Sequence, residues 1–106
     1  MTAALTPAQV LRDAKALISD PAKWTQKAAA RDIEGAEVAF GDEDAVCWCA
    51  LGAIWRAVPN NDVETDAIFA LSNAMGMGVP LFNDAHTHPE VLAAFDRAIE
   101  LAEARQ

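Results

Sequence analysis

Both cysteines and both histidines of this chain fall in two short stretches, Cys47-Trp48-Cys49 and His86-Thr87-His88. The second follows directly on Phe82-Asn83-Asp84-Ala85. Thiol, imidazole, amide and carboxylate are the groups that hold metals and activate nucleophiles. Zinc takes four nitrogen or sulfur donors tetrahedrally, and Cys47, Cys49, His86 and His88 are such a set. Their spacing argues against it. Successive helical residues lie about 100° apart around the axis, so two cysteines flanking one residue would diverge by about 200°. They could share a metal only if the helix began after them, whereas Asp42 and Asp44 suggest caps that start it earlier.

A thiol nucleophile is the second chemistry. Cys49 near the start of a helix, His88 as base, and Asn83 or Asp84 orienting the imidazole would satisfy the logic of a triad. Against it stands the apolar setting of Cys49, where burial raises a thiol pKa and bars substrate. The third reading is packing. Cys49, Gly52, Ala53 and Arg56 recur at helical spacing on one face, and the first three are small enough for a neighbouring helix to approach closely. Trp48, Leu51 and Trp55 would fill the adjacent face. Asn83 and Asp84 have a structural reading too, as short polar side chains holding a loop before the last helix. The packing reading is favoured for Cys49.

The elements that must position these residues are mostly helices. Thr6-Pro7-Ala8-Gln9 has the form of a capping box with proline in the first turn, and Val10, Leu11, Ala14, Leu17 and Ile18 follow at helical spacing. Asp20-Pro21 predicts a second helix carrying Trp24 and Ala28-Ala29-Ala30. Residues 31–41 have the chain's strand character and suit one short β-hairpin or extended loop. A third helix, apolar nearly all round and therefore central, is expected over about 45–58. Asn61 and Glu64 suggest a capping box for a fourth, ended by Gly76-Met77-Gly78. A loop is expected through Leu81-Phe82-Asn83-Asp84, and Thr87-His88-Pro89-Glu90 caps a fifth helix. The expected architecture is mainly α: one domain over 1–106, about five helices around the apolar one.

Bulk properties narrow the partners. A hydrophobic fraction of 53% against 23% charged residues supports a folded core. Sixteen acids against eight bases give a net charge of −8, which repels nucleic acid and anionic membrane surfaces. The longest apolar stretch, Ala45 to Trp55, is too short to span a bilayer. The N-terminal residues show no targeting segment, and two cysteines one residue apart form no disulfide framework, so a cytoplasmic protein with reduced thiols is expected.

Four segments carry a resemblance: Asp20-Pro21-Ala22-Lys23-Trp24, Ala45 to Ala53, Phe82-Asn83-Asp84, and Thr87 to Ile99. In order, over most of the chain, they resemble an uncharacterised family of small bacterial and phage proteins, a domain of unknown function. That pattern matches at Trp24, Trp48, Cys49, Gly52, Asn83, Asp84 and His88, while Cys47 and His86 vary within it. The resemblance implies no activity, and it makes half of a four-donor zinc set optional.

The expected function is therefore a cytosolic interaction or small-molecule-binding module, leaning away from an enzyme, with no cofactor and no resident metal. Its binding focus is expected at Trp48, Cys49, Asn83, Asp84 and His88. A cysteine-dependent hydrolase or transferase using Cys49 and His88 is the rival, and a zinc module the second. Trp24, Trp55 and Met77 would serve a homodimer interface if exposed.

Overall fold

Thr6 opens the first helix, α1 (Pro7–Leu17), as expected: its hydroxyl oxygen accepts from Gln9 N at 3.1 Å. The box closes only halfway, because the Gln9 side chain turns instead to Asp13 at 2.9 Å. The computed structural model describes residues 6–58 and 61–104. Val10, Leu11, Ala14 and Ile18 are fully buried. They face α2 (Ala50–Ala57), α3 (Asn61–Met75) and α5 (His88–Ala104), all of which pack on α1. Packing is shared among the helices: α3 also packs on α2 and α5, and half of the 8 residues of α2 are buried, although it leaves Trp55 half-buried and Arg56 exposed. Arg12–Glu103 and Lys15–Asp96 pairs link α1 to α5, exposed contacts of small worth.

The second expected helix stops after one 3-10 turn, Pro21–Lys23. Asp20 does cap it, accepting from Ala22 N at 2.9 Å. Trp24 then leaves in extended conformation, bridged to Trp48, and Thr25 N donates to Trp48 O at 3.0 Å. Tertiary pairing here overrides the helix preference of Ala28-Ala29-Ala30. Lys27 adopts φ 67°, in the left-handed region that few residues with a β-carbon occupy.

Ala30 begins an antiparallel sheet of β1 (Ala30–Arg31), β2 (Glu37–Val38) and β3 (Cys47–Trp48), in the order β2-β1-β3. Ala30 sits opposite both Val38 and Trp48. The hairpin expected over 31–41 is β1–β2, but β3 occupies residues assigned above to helix. Asp42 accepts from Asp44 N at 2.8 Å, so these acids turn the chain into β3 rather than capping a helix. The helix starts after Cys49, not at 45.

The segment read as a loop after Gly78 is a fourth short helix, α4 (Val79–Ala85), with proline in its first turn. Gly76, at φ 74°, ends α3. The Asn61–Glu64 capping box lies outside the described residues, since Asn61's side chain is not among them. The Thr87–Glu90 box is complete. Thr87 N donates to Glu90 Oε1 at 2.9 Å, and Glu90 N to the Thr87 hydroxyl at 3.4 Å. The Thr87 N–H holds the Glu90 carboxyl below the ordinary range. Among the described residues the count of five α-helices agrees with the sequence reading, although the identities of two differ. Among the described residues no helix is long and apolar enough to cross a membrane.

Candidate functional site

Asn83 on α4 is the single fully buried polar residue in the described part of the chain, and its amide is spent on four hydrogen bonds. Oδ1 accepts from Trp24 Nε1 at 2.7 Å and from Ala50 N at 2.9 Å. Nδ2 donates to Thr25 O at 3.0 Å and to Asp84 Oδ1 at 3.2 Å. One side chain thereby joins α4, the first turn of α2 and the extended segment 24–29, which lies across both as a strap. Ala50 N is an N–H that a helix start leaves without an intrahelical partner.

The strap's next residues continue the attachment. Gln26 Nε2 donates to the carbonyls of Asn83 at 3.0 Å and His86 at 3.1 Å, satisfying the end of α4. Lys27 N donates to Asp84 Oδ1 at 2.8 Å, so its left-handed backbone is held by a carboxylate. Arg31 fastens the strap from behind, through Nε to the Thr25 hydroxyl and Nη2 to Gln26 O, both at 3.1 Å.

Cys49 is the N-cap of α2. Its sulfur accepts from Gly52 N at 3.3 Å, and its own N–H donates to Ala29 O at 3.2 Å. Thiol here stands where serine or threonine is common. Burial pushes the Cys49 thiol up, the Gly52 N–H opposes this, and the Asp84 carboxylate adds to the rise. His88 is not among the groups acting on it. The small residue at 52 also proves necessary, though for an extended chain rather than a second helix. A β-carbon on Gly52 would fall inside contact distance of the Ala29 carbonyl oxygen, with the carbonyl carbon at 3.0 Å.

The other predicted residues go elsewhere. Cys47 lies on β3, its sulfur 3.9 Å from Arg31 O. Trp48 is buried, donates Nε1–H to Phe40 O at 3.0 Å, and lies 5.5 Å beneath the Arg56 guanidinium. His86 stacks on Phe82 at 3.7 Å and donates Nδ1–H to Phe82 O. His88 donates Nε2–H to Ile18 O at 2.6 Å and lies against Trp24, ring centroids 5.4 Å apart. The accepting carbonyls require the proton on those nitrogens. Neither Asn83 nor Asp84 bonds the His88 ring. Among the described residues no three of His, Cys, Asp and Glu gather as a metal site requires. The zinc set Cys47, Cys49, His86, His88 is therefore corrected: its donors sit on a strand, a helix cap and two differently engaged rings.

Beside the thiol is a shallow cleft of about 300 Å³, lined by Lys27, Cys49, Leu51, Trp55, Pro80 and Asp84 with Ala28 and Ala29. Cys49 and Asp84 are the two predicted binding residues that reach it. Lys27 and Pro80 were not singled out from sequence, and Leu51 only as a residue filling a helix face. The signal for Leu51 was its place two residues beyond Cys49 on α2. Lys27 gave none, since only the folded strap turns it toward Asp84.

The raised thiol pKa has a measurable consequence. Cys49 is expected to react with iodoacetamide at least about tenfold more slowly than a free thiol at neutral pH, the rate climbing only in alkali. Rapid alkylation with an apparent pKa below about 7 would contradict the packing role. Because the folded value is raised, the thiol's contribution to stability is present below its ordinary pKa and lost as pH rises through the raised one.

Fold and site together define a small, mainly helical domain in which an extended strap is stitched over the N-terminus of a short helix, leaving a cleft at the seam. The chain belongs to the family of unknown function DUF6197, whose model matches residues 2–101. No curated protein and no solved structure matches it.

Proposed function

We propose that the protein is a non-enzymatic binding module whose focus is the cleft beside Cys49. The cleft itself carries this reading: Leu51, Trp55, Pro80 and the two strap alanines form an apolar floor, and Asp84 and Lys27 stand at its polar end. Mostly apolar lining with a few convergent polar groups is the usual make-up of a small-molecule site. Asp84 Oδ1 is taken by Lys27 N and Asn83 Nδ2, while Oδ2 has no donor among the described residues. A small amphipathic molecule fits, its apolar body on Trp55 and its polar end at Asp84 and Lys27. Of the residues expected at the binding focus, Cys49 and Asp84 would touch it, with Asn83 acting behind them and Trp48 and His88 bracing the surrounding fold.

The setting we assign is the cytosol of a bacterium or a phage-infected cell. A charge of −8 favours neither nucleic acid nor anionic lipid as partner, and a homodimer is compatible with half-buried Trp24 and Trp55 and exposed Met77.

Nuclear magnetic resonance against a panel of small aromatic and aliphatic amines and carboxylates tests the reading. Amide shifts confined to residues 27–29, 49–55 and 80–84 are expected, and Leu51→Glu should abolish them. A panel without a single hit there would refute it. Turnover of an activated ester that depended on Cys49 would establish the cysteine hydrolase instead.

A further inference from the structure

We propose a second interaction surface at the tip of the β1–β2 hairpin, which takes an apolar side chain flanked by Lys or Arg from a partner protein. Ile33 is the most exposed large apolar residue described, at 85%, and Val46 beside it is 39% exposed. Together they line an open cleft of about 490 Å³ whose other residues are Asp32, Glu34, Glu43 and Asp44. Every polar lining group is thus a carboxylate. The nearby base, Arg31, is turned away to the Thr25 hydroxyl and to the carbonyls of Gln26 and Gly35.

The presentation of Ile33 is rigid. Asp32 Oδ1 accepts from Glu34 N at 2.9 Å and from Ala36 N at 3.0 Å. Gly35 N donates to Asp32 O, and Asp32 N to Ala36 O, both at 3.0 Å. Arg31 Nη1 clamps Gly35 O at 3.0 Å, and Val46 N donates to Arg31 O at 2.9 Å, which ties the two walls together. None of these bonds needs an isoleucine. Folding asks of this turn an aspartate at its start and a residue tolerant of positive φ at Gly35, and places no apolar demand on position 33. A turn whose backbone is already fixed loses little backbone entropy on docking.

Charge selects the occupant. Four carboxylates around two apolar side chains are complementary to a basic rim around an apolar knob, and the chain's net −8 steers such a partner inward. A second copy would set like-charged rims against one another, and phosphate-bearing polymers or lipids would be repelled.

The probe is a synthetic peptide repeating Lys-Leu-Arg, with a Lys-Gly-Arg peptide of equal charge as control, titrated into the full chain at physiological ionic strength. The Leu peptide should shift the amides of residues 32–36 and 43–46, and Ile33→Ser should weaken its binding by roughly tenfold. The Gly peptide should bind weakly and identically to both forms. Ile33 is so exposed that the substitution leaves the fold intact, which circular dichroism verifies. Equal affinity of the two peptides, or of the two protein forms, would overturn the proposal. A concentration-dependent dimer that Ile33→Ser dissolves would overturn it in favour of a second copy.

Discussion

Asn83→Ala is expected to lower the unfolding free energy by about 3 kcal/mol or more in urea titration. The substitution deletes one acceptor that serves two donors and two donors that serve two acceptors. Ala50 N is left buried with nothing to receive it, which alone costs about 1–3 kcal/mol. Trp24 and Thr25 are half-buried, so water can replace part of what they lose. Asn83→Asp separates hydrogen bonding from shape. It keeps an acceptor for Trp24 and Ala50 but removes both donations and sets a second carboxylate beside Asp84 Oδ1, where the amide nitrogen stood at 3.2 Å. It should therefore be at least as harmful as alanine at neutral pH. Because burial and Asp84 would raise the pKa of that new carboxyl, stability should return in part as the pH falls through it. A loss below about 1 kcal/mol for Asn83→Ala would show that the amide is incidental.

From sequence Asn83 reads as a loop-holding residue ahead of a ligand contact, but the bonds it makes were not legible there, because three of its four partners, Trp24, Thr25 and Ala50, lie far along the chain. Local signals were reliable where the bonds they encode are local. Thr6 and Thr87 each found the N–H three residues ahead, and the hairpin turn formed around Asp32 and Gly35. The Asp20 cap also formed, yet it started only one turn, because Thr25 N and Trp24 are claimed by Trp48 far along the chain. Cys49 misled for the same reason. Acids at 42–44 resemble a helix start, but Val46 N and Cys49 N are claimed by Arg31 O and Ala29 O, which keeps 46–49 extended. Helix α4 was missed although Gly78-Val79-Pro80 is a fair start signal, since so short a helix has too few turns to show a periodic face.

Gly52→Ala carries the opposite sign from the one helix propensity assigns. In an exposed helix interior alanine gains about 1 kcal/mol over glycine. Here the added methyl would meet the Ala29 carbonyl, whose carbon would stand 3.0 Å and Cα 3.3 Å away, and backbone cannot swing aside as a side chain can. The strap must lift, and lifting it stretches the Cys49 N to Ala29 O bond of 3.2 Å. Overpacking and that lost bond together predict a destabilisation of about 2–4 kcal/mol. Native-state hydrogen exchange should show Cys49 N–H and the strap amides opening earlier than those of α1 and α5. Neutral or raised stability would mean that the strap does not press on α2. A double-mutant cycle sharpens the point. If Gly52→Ala and Asn83→Ala release the same strap, the second change finds it already loose, and their combined loss should fall short of the sum by about 1 kcal/mol or more. Strict additivity would mean that the two contacts hold independent pieces, and the cleft between them would then have no single wall.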